Sequence, residues 1–338
     1  MGQILSAPVT EKHSTCGKNE RFAYGASAMQ GWRTTMDDAH TTLLAVESTE
    51  GIAFFAVYDG HGGSEVARIC SKDLHKKIIS EPTFVKGDLK SAFKDGFLTM
   101  DQALRDNPEA RSKPSGCTAI TAMINNENIL YVGNLGDSRA ILSCDGKFIS
   151  LSHEHKPDNI DESIRINNAG GYVSSGRVNG SLALSRAFGD FDYKSNEMLD
   201  PDQQIVIAIP DVMERELTEK DEFMVLACDG IWDCIGAQRV VDFVRNRVVE
   251  KVPLETICER LMDQCLPKEV TPLNYTGTDN MTMIIVAFLN GRTLEEWYEN
   301  IIQRATEQAR VQRENVKSTV APGVNKPKRK WFFGRFGR

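Results

Sequence analysis

The stretch that most constrains this chain is residues 54–64, with the sequence FFAVYDGHGGS. Its first five residues are aromatic or aliphatic, which is typical of a strand buried on both faces. The run ends at Asp59, and glycines at three of the next four positions allow backbone conformations that other residues resist. Apolar side chains then recur with helical spacing over residues 64–80. A buried strand therefore delivers the carboxylate of Asp59 and the imidazole of His61 to a glycine-lined edge.

Acidic residues also lie next to other apolar runs that predict strands, at Asp37, Asp38, Asp137, Asp229 and Asp279. A single aspartate in such a place is more often a turn residue than a ligand. Several such sites in one domain instead predict a cluster at one edge of the strands.

A cluster of carboxylates has a definite chemistry. Because the carboxylates repel one another and raise one another's pKa, the cluster requires a cation. Oxygen ligands without accompanying cysteines favour a hard ion such as Mg²⁺ or Mn²⁺. Two such ions bridged by one carboxylate would lower the pKa of a bridging water, which produces a hydroxide suited to in-line attack on phosphorus.

Composition narrows the function classes. The net charge of −7 includes six positive charges and no acid in residues 326–338, so the remainder carries −13. An acidic body argues against a nucleic-acid partner. Eight cysteines without a paired framework indicate reduced thiols in the cytoplasm or nucleus, and we expect neither a signal peptide nor a membrane-spanning run.

The order of elements predicts an α+β fold. Short turns join successive strands, as at Asp145-Gly146, which favours antiparallel sheets, and paired helical patterns between the strand groups would cover the sheet faces. Residues 171–204 lack periodicity and are expected to be irregular. We predict a catalytic domain over residues 21–290, preceded by a segment at 1–20 and followed by a helix at 291–314 and a disordered basic-aromatic tail at 315–338.

Five motifs, in order, resemble those of the type 2C metal-dependent protein serine/threonine phosphatases: MDDAH (36–40), VYDGHGG (57–63), GNLGDSR (133–139), ACDGIWD (227–233) and GTDNMT (277–282). The resemblance covers about residues 21–290. It implies a sandwich of two antiparallel β-sheets flanked by helices, with a dinuclear Mg²⁺ or Mn²⁺ centre between the sheets at one end. It also implies hydrolysis of phosphoserine and phosphothreonine in proteins by a metal-bridging hydroxide, without a phosphoenzyme.

The resemblance implies a role for each site residue. Asp59 would bridge both metals, the Gly60 carbonyl would help to bind one of them, and Asp37 and Asp38 would serve the first metal. The second metal would be held by Asp229 and Asp279. A weaker third ion would use Asp137 and Asp233 together with Asp229.

Two further residues match the family's groups for the substrate. Arg33 would bind the substrate phosphate, and His61 would protonate the leaving alkoxide. The 171–204 segment would form the substrate-side flap. One position departs from the family pattern, because Asp37 stands where the family has glutamate. Its shorter side chain would reach the metal through water, which affects metal affinity and ion preference.

Two alternatives remain open from the sequence. One is a catalytically silent scaffold on the same fold, and the other is a phosphatase of metabolites. The family resemblance implies phosphoprotein substrates that include signalling kinases, negative regulation of kinase signalling, and a monomer.

The two termini contain patterns that are typical of localisation signals. The first residues fit the pattern for myristoylation at Gly2. The basic and aromatic residues of 326–338 fit either a nuclear localisation signal or an anionic membrane surface. We therefore expect a cytoplasmic protein with peripheral membrane or nuclear localisation. A solvated tail with neither role is the alternative.

Overall fold

The computed structural model describes residues 4–49, 51–271 and 275–319. The described strands are β1 (Ile4–Lys18), β2 (Phe22–Arg33), β3 (Ala39–Leu43), β4 (Ala53–Tyr58), β5 (Gly60–His61), β6 (Gly116–Cys117), β7 (Ala119–Ile124), β8 (Ile129–Leu135), β9 (Arg139–Cys144), β10 (Lys147–Ser150), β11 (Val173–Ser174), β12 (Arg177–Val178), β13 (Phe188–Gly189), β14 (Asp211–Glu216), β15 (Asp221–Ala227) and β16 (Met281–Phe288). The described helices are α1 (Glu65–Ser80), α2 (Pro82–Val85), α3 (Leu89–Asp106), α4 (Ile160–Asn168), α5 (Asp229–Trp232), α6 (Ala237–Val249), α7 (Leu254–Cys265) and α8 (Leu294–Thr319).

Two antiparallel sheets form the centre of the molecule. One has six strands in the order β1-β2-β16-β15-β9-β10, and the other has five in the order β14-β8-β7-β4-β3. Alternate residues of both sheets form a common core, to which β4 contributes Phe55 and Val57 and β16 contributes Ile284 and Val286. The period-2 direction of side chains on a strand places these residues on the inner face of each sheet.

Helices cover the outer faces. The five-stranded sheet packs against α1 and α3, through residues such as Leu74 and Phe97. The six-stranded sheet packs against α6, α7 and α8, where buried Trp297 donates its indole N–H to the Glu222 carbonyl at 3.1 Å. These layers confirm the predicted α+β sandwich of two antiparallel sheets flanked by helices.

The first strand differs from the sequence analysis, which placed residues 1–20 outside the catalytic domain. In the structure Ile4–Lys18 is the edge strand of the six-stranded sheet and pairs with β2. Its contacts with α7 are polar, including a 2.6 Å hydrogen bond from Ser14 to Glu259 and a 2.6 Å ion pair between Lys12 and Asp263. Because these side chains are polar, the strand lacks the apolar alternation by which it could have been predicted.

Two other elements were not predicted correctly. Strand β14, at Asp211–Glu216, was missed because its sequence DVMERE is mostly charged on an edge strand. Helix α8 continues to Thr319, so the predicted disorder from residue 315 begins too early. Gly2 and residues 326–338 lie outside the described residues. Among the described helices none is long and apolar enough to cross a membrane.

The strand register brings the motif residues to one end of the sandwich. In the six-stranded sheet Met29 pairs with Met281, and Ala227 pairs with both Met283 and Arg139. In the five-stranded sheet the end of β4 pairs with the start of β3, and the start of β7 with the end of β8. The connections that carry the aspartates therefore leave both sheets at the same edge.

Candidate metal centre

Asp59 lies at the middle of this edge, directly after β4. Its backbone is fixed by Thr118, whose N–H donates to the Asp59 carbonyl at 2.9 Å and whose Oγ1 accepts from the Asp59 N–H at 3.2 Å. Thr118 Oγ1 also lies 2.8 Å from Ser138 Oγ, next to Asp137. Thr118 therefore joins two of the acidic connections to each other.

Two groups of potential ligand atoms share Asp59. One oxygen each of Asp59, Asp137 and Asp229 lie within 4.8 Å of one another, and Asp59 lies equally close to Asp38 and the Cys228 thiol. The structure thus brings three of the predicted carboxylates, those of Asp38, Asp137 and Asp229, close to Asp59. This central position is what a shared ligand of two ions requires.

Cys228 belongs to the second group only by proximity. Its Sγ accepts from the Thr282 N–H at 3.2 Å and lies 3.5 Å from the Asn280 carbonyl. Burial raises the pKa of this thiol well above its usual range, so it stays protonated. A protonated thiol is a poor ligand for a hard ion, whereas the surrounding oxygens suit Mg²⁺ and Mn²⁺.

The side chain of Asp38 is fixed by a hydrogen bond from a residue of β16. The Thr282 hydroxyl donates to Asp38 Oδ2 at 2.7 Å. Burial raises the pKa of Asp38 to about 7, with a further contribution from Asp279, although the Thr282 hydrogen bond acts in the opposite direction. Neighbouring Asp37 donates its N–H to the Asn280 side chain at 2.9 Å.

The acids at the centre lack compensating charge. Burial and the neighbouring Asp229 raise the pKa of Asp59 well above its usual range, and burial and Asp137 do the same for Asp229. Among the described residues, ion pairs reach Asp137 and Asp279 at the margins, but not Asp38, Asp59 or Asp229. An uncompensated, oxygen-rich cluster of this kind fits divalent cations, whose charge would restore the ionised state.

Two glycines allow the connections to approach closely. A Cβ atom at Gly60 would lie 2.3 Å from the Asp37 carbonyl oxygen, and one at Gly230 would lie 2.0 Å from the Asn280 carbonyl oxygen. Both distances are too short for any side chain. The DG pairs after β4 and β15 are therefore required by the packing of the site.

Arg33 lies at the end of β2, beside the cluster. Its guanidinium forms a 2.5 Å ion pair with Asp279, and both side chains are about one third exposed, at 38% and 33%. A part-exposed guanidinium at the margin of an acidic centre can contact an anionic group that enters from solvent.

His61 has a partner that the sequence analysis missed. Its Nε2 lies 2.7 Å from Oδ2 of Asp190, because the small sheet β13-β6-β5 places Gly189 and His61 on either side of Gly116. Burial lowers the pKa of His61, but the charge of Asp190 and its hydrogen bond outweigh this, so the net shift is upward.

At the third predicted ion site a lysine side chain already pairs with one of the carboxylates. Lys156 forms a short ion pair with Asp137, whose side chain is almost fully buried. Burial raises the pKa of Asp233, the other residue assigned to this site, while Lys156 lowers it. An ion bound between Asp137 and Asp233 must therefore compete with the Lys156 ammonium.

The functional residues that sequence reasoning missed are Asp190, Lys156, Thr282 and the side chain of Asn280. Asp190 had a signal, since it follows the short apolar strand Phe188–Gly189 as Asp59 follows β4. Thr282 and Asn280 lie in the GTDNMT motif, which assigned them no role, and Lys156 had no signal, because the importance of all three comes from tertiary contacts.

Comparisons with known proteins agree with this geometry. The family model described as "Protein phosphatase 2C" matches residues 22–271. Protein phosphatase 2C homolog 2 of Schizosaccharomyces pombe is 50% identical over 308 residues, covering 90% of this chain and 83% of the relative. Probable protein phosphatase 2C 21 of Arabidopsis thaliana is 38% identical over 334 residues, covering 85% and 93%. A solved phosphatase from Toxoplasma gondii matches with a TM-score of 0.70 at 28% identity, covering 82% of this chain and 96% of that one.

Proposed function

The chain belongs to the protein phosphatase 2C family and is a metal-dependent protein serine/threonine phosphatase that uses Mg²⁺ or Mn²⁺, and we propose that its catalytic centre is the carboxylate cluster around Asp59. The observation that carries this proposal is the shared position of Asp59 between the two groups of ligand atoms. In this proposal Asp59 would serve both ions, and the Gly60 carbonyl would help to bind one of them.

The remaining acids divide between the two ions. Asp37 and Asp38 serve the first ion, and Asp229 and Asp279 serve the second. When bound, the ions supply the positive charge that makes a water acidic enough to serve as the nucleophile toward phosphorus. The carboxylates hold this charge in place, and hydrolysis proceeds in one step without a phosphoenzyme.

Arg33 binds and orients the substrate phosphate. The support for this role is its part-exposed guanidinium, which pairs with Asp279 at the margin of the cluster. A planar guanidinium can donate two parallel hydrogen bonds to a phosphate, which fixes the direction of the scissile bond.

His61 donates the proton that the leaving serine or threonine alkoxide requires. Asp190 supports this role in two ways, by orienting the ring through Nε2 and by raising the pKa of His61, so that the imidazolium persists to higher pH than it would without this carboxylate. A buried imidazole without this carboxylate would lose its proton at lower pH.

Asp137 and Asp233, with Asp229, form a weaker third site. Its weakness follows from the Lys156 ammonium, which an entering ion must displace from Asp137. The short Asp37 side chain would contact the first ion through water, and Asp37→Glu is therefore expected to lower the Mn²⁺ concentration that gives half-maximal activity.

The activity is tested by turnover of a phosphothreonine peptide and a hexose phosphate under Mg²⁺ and Mn²⁺ titration. We expect metal-dependent hydrolysis of the peptide, far slower hydrolysis of the sugar phosphate, and loss of both with chelator or in Asp59→Ala. Ion binding without turnover would instead indicate a silent scaffold, and a preference for the sugar phosphate would indicate a metabolite phosphatase.

The substrates in this proposal are phosphoproteins that include signalling kinases, which the enzyme regulates negatively as a monomer. Acylation at Gly2 and the basic tail at 326–338 would together give peripheral membrane association, with the nucleus as the other destination of the tail. A fluorescent fusion tests this, since Gly2→Ala or loss of 326–338 should release it to the cytoplasm. A distribution unchanged by either alteration would contradict it.

A further inference from the structure

Asn280 lies between Asp279 and β16 and is almost completely buried, with 5% of its surface exposed. Its side-chain amide nitrogen donates to the carbonyls of Gln30 at 2.8 Å and Thr35 at 2.9 Å. Its Oδ1 accepts from the N–H of Asp37 at 2.9 Å. All three bonds therefore reach one stretch of backbone, residues 30–37, which comprises the end of β2 and most of its connection to β3.

These bonds can be made only by a side chain with two donors and an acceptor of this length. Aspartate would place a second oxygen against the carbonyls of Gln30 and Thr35, and alanine would remove the partner of three part-buried backbone groups. Because Asn280 itself is buried, an unpaired aspartate oxygen at this position would be costly.

The 30–37 segment carries Arg33 in its middle and Asp37 at its end. Its other contacts are the pairing of Gly31 and Arg33 with β1, a 2.8 Å hydrogen bond from Gln30 Nε2 to the Arg33 carbonyl, and a 3.2 Å hydrogen bond from Trp32 Nε1 to the Pro267 carbonyl. Among the described residues, the side-chain ion pair that links this segment to Asp279 is that of Arg33, which a substrate phosphate would have to share. The backbone bonds of Asn280 do not depend on that ion pair.

We infer that Asn280 is a positioning residue that fixes Arg33 and Asp37 relative to Asp279. Asn280 directly follows Asp279 in the chain. These two adjacent residues therefore provide an acid on one side of the centre and fix the backbone of residues 30–37 on the other side. The assignment of Arg33 to phosphate binding rests on the proposed function.

Hydrogen exchange of the chelator-treated protein tests the positioning without any turnover. We expect Asn280→Ala to speed amide exchange in residues 31–37 at least tenfold, while the strands at a distance, such as β7 and β8, exchange as in the unmodified protein. Should the alanine variant fail to fold, Asn280→Asp, which keeps the acceptor for Asp37, is measured in its place. Unchanged exchange in residues 31–37 would overturn the inference.

Inhibition by inorganic phosphate, measured with an aryl phosphate substrate at saturating Mn²⁺, tests the consequence for Arg33. We expect the inhibition constant to rise about tenfold in Asn280→Ala. The double variant should have an inhibition constant less than twofold above that of Arg33→Ala alone, since both changes remove the same contact. The inference would be overturned if the double variant showed the product of the two single-variant effects. It would also be overturned if Asn280→Ala had the same inhibition constant as the unmodified enzyme.

Thr121→Val is the matched control. Thr121 is buried in β7 and donates one hydrogen bond, to the Gly133 carbonyl at 2.9 Å, away from the 30–37 segment. Its loss should lower thermal stability but leave the phosphate inhibition constant unchanged. If Arg33→Ala itself leaves that constant unchanged, the proposed role of Arg33 is wrong, and the exchange experiment alone decides the role of Asn280.

Discussion

Nε2 of His61 lies 2.7 Å from Oδ2 of Asp190, so the imidazole beside the metal centre has a buried carboxylate as its partner. The two residues are 129 positions apart in the chain and meet because β5 and β13 both pair with β6. The contact with Asp190 raises the pKa of His61 and so affects the pH range in which the imidazole is protonated.

Asp190→Asn should therefore shift the pH dependence of kcat. Burial alone lowers the pKa of His61, and Asp190 reverses this, so removal of the charge lowers the pKa. A general acid is active below its pKa, hence the basic limb of the profile should move to lower pH. Asp192→Asn, at an exposed aspartate two residues away, should leave the limb in place. A basic limb unmoved in Asp190→Asn would contradict the role of His61 as the acid.

Thr282→Val should weaken metal binding with little effect on kcat at saturating metal. The substitution keeps the shape of the side chain and removes the 2.7 Å hydrogen bond to Asp38. A hydrogen bond to a charged group contributes about 1.5–3 kcal/mol, which corresponds to roughly a tenfold or greater rise in the Mn²⁺ concentration for half-maximal activity. An unchanged Mn²⁺ dependence would show that Asp38 does not contribute to ion binding.

Gly60→Ala should abolish most activity. The added Cβ would lie 2.3 Å from the Asp37 carbonyl oxygen, so the connections that carry Asp59 and Asp37 must separate. We expect a loss of stability of about 1–3 kcal/mol from overpacking and a fall in kcat/KM on the order of a hundredfold from misplaced ligands. Gly236→Ala is the control, because a Cβ there meets nothing within 4 Å. Near-normal turnover in Gly60→Ala would contradict the required close approach.

The metal-free protein should lose stability as pH rises from about 4 to about 7. The pKa of Asp38 is raised from 3.8 to about 7, so in this window the unfolded chain releases a proton that the folded chain retains. Its contribution, up to about 4 kcal/mol, is therefore favourable to the fold below the unfolded pKa and is lost by pH 7. Melting temperatures with chelator should fall across this range, and added Mn²⁺ should raise them more at pH 7.5 than at pH 5. Equal effects of Mn²⁺ at both pH values would be the contrary result.

Much of the centre could be predicted because it is local in sequence. The apolar run into Asp59, and the similar runs beside Asp229 and Asp279, reveal strands that end in carboxylates. The buried strands and amphipathic helices were predicted for the same reason, since burial imposes periodicity.

What could not be predicted depends on contacts between distant segments. Strand β1 is polar and is held by backbone pairing with β2, which leaves no apolar pattern. Asp190 follows a short strand as Asp59 follows β4, but its contact with His61 could not be predicted, because the two residues meet only through the pairing of β5 and β13 with β6. The hydrogen bonds of the Asn280 amide form only because β16 and β2 are adjacent in the folded protein.

Calorimetric titration of Mn²⁺ into chelator-treated protein tests the central claim most directly, because it measures ion binding at Asp59 without any substrate. The account predicts at least two ions bound by the unmodified chain and by Asp161→Asn, a change at an exposed aspartate of α4. It predicts loss of high-affinity binding in Asp59→Asn, since one shared carboxylate serves both ions. Binding of the same number of ions with the same affinity in Asp59→Asn would contradict it.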